Sequence, residues 1–167
     1  MKTLHTAISF AMLLTALAAV AEPNSQKSFD MLKTLSGTWE GKNVQGQPVQ
    51  ISYRMTAGGS ALMSEILATE MNMQEDMISM FHMDGDRLLL THYCAAGNQP
   101  RMVASLSPDG KSVIFDFLDA TNLVAPHTGH MHRVVFNFVD TNHHTEQWRF
   151  IQDGKEFVEM FDLTRKS

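Results

Sequence analysis

Gly37-Thr38-Trp39-Glu40-Gly41 opens a run of strand-like segments that continues to about Thr164. Short stretches of alternating apolar and polar residues follow one another, separated by tight-turn signals, with no convincing amphipathic helix between them. Gly46-Gln47-Pro48, Gly58-Gly59, Gly97-Asn98, Pro108-Asp109-Gly110 and Thr141-Asn142 mark turns, and Asp84-Gly85 and Asp153-Gly154 are two-residue hairpin signals. The one long connection falls at Asp119–Gly129. Strands joined only to their neighbours, with no long crossover, predict an all-β fold: a single antiparallel up-and-down barrel of about ten strands.

Upstream of this run, Phe29, Leu32 and Leu35 recur at helical spacing within Ser25–Leu35, and Ser36-Gly37 stops the pattern. A short helix placed before a barrel serves as a lid or plug on one end. Further upstream, Lys2, the apolar run Ala7–Val20 and the small residues Ala19-Val20-Ala21 ahead of Glu22-Pro23 have the form of a secretory signal peptide. The run is too short and too alanine-rich for a membrane span. The expected organisation is a signal peptide at residues 1–21, cleaved after about Ala21, and one barrel domain at 22–167, secreted or periplasmic.

Cleavage leaves about 146 residues, enough for one domain with a real core. The chain carries a net charge of −5 and no basic stripe, which excludes nucleic acid as an expected partner. Cys94 is the single cysteine, so no internal disulfide forms and stability must come from packing.

Period-two alternation sorts the strand residues into faces. Phe115 and Phe117 share one. Val134, Phe136 and Phe138 share a face with His130 and His132, and Glu146, Trp148 and Phe150 with His144. Phe157, Phe161 and Leu163 share one with Glu159. These faces are mixed rather than purely apolar, and a barrel this wide is not filled by its own side chains, so the pattern predicts a hydrated cavity.

The stretch Leu35-Ser36-Gly37-Thr38-Trp39-Glu40-Gly41 resembles the opening of calycin-type barrels, in which a Gly-x-Trp on the first strand plugs one barrel end. With a short preceding helix and about ten strands, the chain resembles the lipocalin-like, nitrobindin-like group of small secreted bacterial proteins. The resemblance implies a barrel that holds a small molecule. Nitrobindins bind haem through a histidine near the end of the barrel, and this chain has none after His144. The resemblance therefore carries over the barrel and not that haem site.

Four constellations are candidates for chemistry. His130 and His132, at i and i+2 on one strand, offer a metal-ligand spacing that Glu146 of the next strand could complete, given a bulge to bring it into phase. His92 and Cys94 face together, and the cysteine reads as a small buried hydrophobe rather than a nucleophile. Met71, Met73, Met77, Met80 and Met83 cluster with His82, a pattern suited to a pliable apolar pocket wall or to Cu(I). Trp39, Tyr53, Tyr93, Arg101, Arg133 and Trp148 are the expected ligand-binding set, with arginine suited to a carboxylate head group. The leading expectation is an exported lipocalin-like barrel binding a small, partly apolar ligand. The alternatives are a metal-dependent or haem-associated enzyme using the strand histidines, and a structural or homodimeric barrel without a ligand.

Overall fold

The computed structural model describes residues 24–67, 76–125 and 127–166. The signal-peptide reading, Met71 and Met73 lie outside the described residues. Helix α1 (Asn24–Lys33) precedes ten strands. The first five are β1 (Gly37–Asn43), β2 (Pro48–Thr56), β3 (Ala61–Ile66), β4 (Met77–Asp84) and β5 (Arg87–Tyr93). The others are β6 (Gln99–Leu106), β7 (Ser112–Thr121), β8 (His130–Asp140), β9 (His143–Gln152) and β10 (Lys155–Arg165). Every neighbouring pair is antiparallel, and β1 pairs with both β2 and β10, closing the barrel. β7 extends three residues further than the predicted long connection allowed, because Gln99 to Arg101 pair with Asp119 to Thr121.

The turn chemistry explains this order. Asp153 and Gly154 both have positive φ, 50° and 71°, as the hairpin between β9 and β10 requires for its twist to match the strands. Gly41 serves a different purpose. A Cβ there would lie 1.8 Å from the Asp162 carbonyl oxygen, so only glycine lets β10 pass this close to β1. The closure of the barrel depends on that missing side chain.

Three bulges set which side chains face inward. Asp140 pairs with His143 but Phe138 pairs with His144, leaving Val139 as an extra residue on β8. That insertion brings Val134 and Phe136 onto the same inner face as His144, Glu146 and Trp148, all buried. A second bulge at His132 removes this residue from the inner phase. His132 is exposed, and His130, although buried, stands opposite Ile151 while Val134 stands opposite Trp148, so the expected shared face of the two histidines with Val134 does not form. Met131, opposite Phe150, takes the inward phase and lines the interior. The third, between β6 and β7, leaves Leu118 outside.

The middle of the barrel is packed solid, with Phe81, Phe115 and Phe136 in edge-to-face contact at centroid separations of 5.6–6.0 Å. One end is sealed. α1 packs against β4, β5 and β6 and buries Phe29 and Leu32, and Trp39 donates its indole N–H to the Leu35 carbonyl at 2.7 Å. The Arg165 guanidinium sits 4.3 Å from the Trp39 ring and donates to the Thr34 and Ser36 carbonyls just past the helix. Trp39 thus belongs to the plug. The opposite end, where β1 meets β2 and β9 meets β10, is left open by the described residues.

Candidate functional site

A cavity of about 360 Å³ lies at the open end, within the range of small-molecule sites. Ile66, Met77 and Phe161 give it apolar walls, Asn43, Gln47 and Glu159 a polar side, and His92 and Trp148 also line it. Met77 lines the cavity, while Met83, further along β4, packs against the core without lining it.

Each polar group has a specific support. His92 is 1% exposed, and its Nδ1 lies 2.9 Å from Ser79 Oγ across the β4–β5 pair. Its ring packs against Trp148 at a centroid distance of 4.9 Å. Burial pushes its pKa down to about 4, so the ring is neutral at pH 7. Its Nε2 finds no hydrogen-bond partner among the described residues. Glu159, on β10, lines the cavity together with Asn43 and Phe161. Burial raises its pKa above the ordinary carboxyl value, partly offset by hydrogen bonds from the Val44 N–H and the Asn43 side chain. Its Oε1 is likewise buried and without a partner among the described residues. Two unsatisfied polar atoms on residues lining one cavity are unusual in a packed protein, where nearly all buried polar atoms are paired.

Next to the cavity lies a second polar group. Glu146, 1% exposed, accepts from Trp148 Nε1 at 2.8 Å on Oε2 and from the Tyr53 hydroxyl on Oε1. His144 Nε2 is 3.2 Å from the same Oε1, and the His144 ring meets Trp39 edge-on at 4.3 Å. Tyr53 ionises well above its usual range, first because it is buried and then because of the Glu146 charge. A chain of side chains thus links the cavity wall at Trp148 to the plug at Trp39.

Of the expected ligand-binding set, only Trp148 lines this cavity; Tyr53 and Trp39 lie deeper. Tyr93 is half exposed at the end of β5. Arg101 and Arg133 are on the outside, where each pairs with the aspartate opposite it in register: Arg101 with Asp119 at 2.6 Å and Arg133 with Asp116 at 2.7 Å. Neither reaches the interior, because a cross-strand carboxylate satisfies it in solvent.

The structure does not bring the expected metal set together. The rings of His130 and His132 are 5.8 Å apart and both pack on Phe117. Glu146 stands opposite Phe136, well along β8 from both histidines, and its oxygens are occupied by Tyr53, Trp148 and His144. Among the described residues no group of three His, Cys, Asp or Glu side chains is placed to hold a metal. Cys94 sits in the turn after β5, where its Sγ accepts from the Ala96 N–H at 3.5 Å and burial raises its pKa, away from thiolate character.

Sequence reasoning did not single out Asn43, Gln47 or Glu159. A signal for Glu159 existed: it is an acid in the same strand phase as Phe161 and Leu163, the inward phase of β10. For Asn43 and Gln47, at a strand end and in a turn, no comparable signal exists.

The fold is a closed ten-stranded antiparallel barrel, helix-plugged at one end and hollow at the other. No protein-family model matches the chain, and no curated protein matches it. Among solved structures it is similar to the crystal structure of Rv2717c from M. tuberculosis, with a TM-score of 0.53 over 84% of this chain and 98% of that one. At 14% identity the likeness is one of fold alone.

Proposed function

We propose that this chain is an exported, lipocalin-like container that holds one small, partly apolar molecule in the cavity at its open end. The observation that carries the reading is the pair of unpartnered atoms, His92 Nε2 and Glu159 Oε1, on residues lining a cavity of about 360 Å³ that joins apolar walls at Ile66, Met77 and Phe161 to a polar side at Asn43 and Gln47. A bound molecule with a polar head and an apolar body would pair the first and cover the second. The plug formed by Trp39, α1 and Arg165 supports the lipocalin-like reading, because it covers the end away from the cavity. The leader-like residues 1–21 support export.

The test is titration of the purified protein with N-phenyl-1-naphthylamine, a neutral apolar dye that brightens on leaving water. A saturable rise in fluorescence with one site per chain is expected, and Met77→Trp, which fills the cavity, is expected to abolish it. Absence of binding to the wild type, or undiminished binding to a folded Met77→Trp variant, would overturn the proposal.

A further inference from the structure

Resting on the cavity being a ligand site, we propose that it selects molecules whose head group donates hydrogen bonds, organic ammonium ions above all, and rejects carboxylates. Two observations carry this. First, the charge of the lining is one-sided. Among the described residues that line it, Glu159 is the one carboxylate and none is a lysine or arginine. The arginines that would receive a carboxylate, Arg101 and Arg133, are outside and already paired. His92 does not substitute for them, since the neutral ring brings no positive charge.

Second, the free valence is that of an acceptor. Glu159 lines the cavity beside Asn43, and its buried Oε1 has no partner among the described residues. An ionised oxygen in that position accepts and cannot donate. An ammonium head satisfies it with a charge-assisted hydrogen bond, and a hydroxyl satisfies it with a neutral donor. A carboxylate meets like charge in a partly desolvated site, where repulsion is weakly screened. The aromatic lining of Trp148 and Phe161 also tolerates a cation better than an anion, because the ring faces carry negative potential. His92 Nε2 then remains for a second polar atom on the ligand.

The test uses three probes of equal tail length, n-octylamine, n-octanol and n-octanoate, each measured by displacement of N-phenyl-1-naphthylamine at pH 7. Octylamine is expected to displace the dye at a concentration roughly tenfold or more below that of octanoate, the scale of one charge-assisted hydrogen bond, with octanol between them. Glu159→Gln is expected to bring the octylamine and octanoate displacement midpoints together, whatever its own affinity for the dye. Glu159→Asp, which keeps the charge, is expected to keep the order of the three. Octanoate binding as well as octylamine, an unchanged preference in a folded Glu159→Gln variant, or no displacement by any of the three would overturn the inference while the dye still reports a working cavity. Failure of the dye itself to bind falls on the container reading instead.

Discussion

Tyr53→Phe removes one hydroxyl from the interior and nothing else. The ring stays, no cavity opens, and the change isolates the hydrogen bond to Glu146 Oε1. Both partners are almost fully buried, at 2% and 1% exposure, so water cannot replace the lost donor. A buried hydrogen bond to a charged acceptor contributes about 1.5–3 kcal/mol net. The other supports of Glu146, Trp148 Nε1 at 2.8 Å and His144 Nε2 at 3.2 Å, remain, which places the expected loss near about 2 kcal/mol. Urea unfolding followed by tryptophan fluorescence reads this directly. With a slope of about 2 kcal/mol per molar, the midpoint should fall by roughly 1 M at unchanged slope. Crossed with Glu146→Gln in a double-mutant cycle, the pair should couple by about 1–2 kcal/mol. The alkaline limb provides a second reading. The folded pKa of Tyr53 is raised, so its contribution is complete below about pH 10, where the unfolded tyrosine begins to ionise, and is lost as pH rises further. Tyr53→Phe should flatten that decline. A midpoint shift under about 0.25 M, or a coupling energy near zero, would show that the hydroxyl does not hold Glu146.

His92 should make the protein acid-sensitive. Its pKa falls from about 6.5 unfolded to about 4 folded, so its contribution is present above pH 6.5 and is lost as pH drops toward 4, by about 3 kcal/mol in all. Denaturation curves at pH 7 and pH 4 should differ less in His92→Gln by that amount, and equal acid losses in both proteins would refute the assignment. Gly41→Ala should cost about 3 kcal/mol or more in the same urea assay, because the methyl collides with the Asp162 carbonyl of β10. A neutral Gly41→Ala would mean that β1 and β10 do not close as described. Finally, mass spectrometry of the protein recovered from its source should give an N-terminus at Glu22; an intact Met1 would remove the argument for export.

The arrangement of strands was legible because its signals are local. Alternation shows a strand wherever one face is buried, and glycine, asparagine or aspartate marks a turn where the backbone takes positive φ, as at Asp153-Gly154. The site was legible only in fragments. Trp148 could be picked out as an inward aromatic, but Arg101 and Arg133 were read as ligand contacts when cross-strand aspartates hold them outside. The grouping of His130, His132 and Glu146 failed for a related reason. A bulge at His132 turns that side chain outward, and the pairing register sets Glu146 opposite Phe136. An inserted residue leaves no mark in an alternating sequence until the partner strand is known.

By itself, then, the run that opens at Gly37-Thr38-Trp39 determined an up-and-down barrel, since turn geometry and two-residue periodicity are properties of short segments. Only the tertiary structure decided where that barrel is hollow, and that Glu159 and His92 come together at the hollow end although 67 positions separate them in the chain. Register, bulges and ring closure are relations between strands, and no single strand contains them.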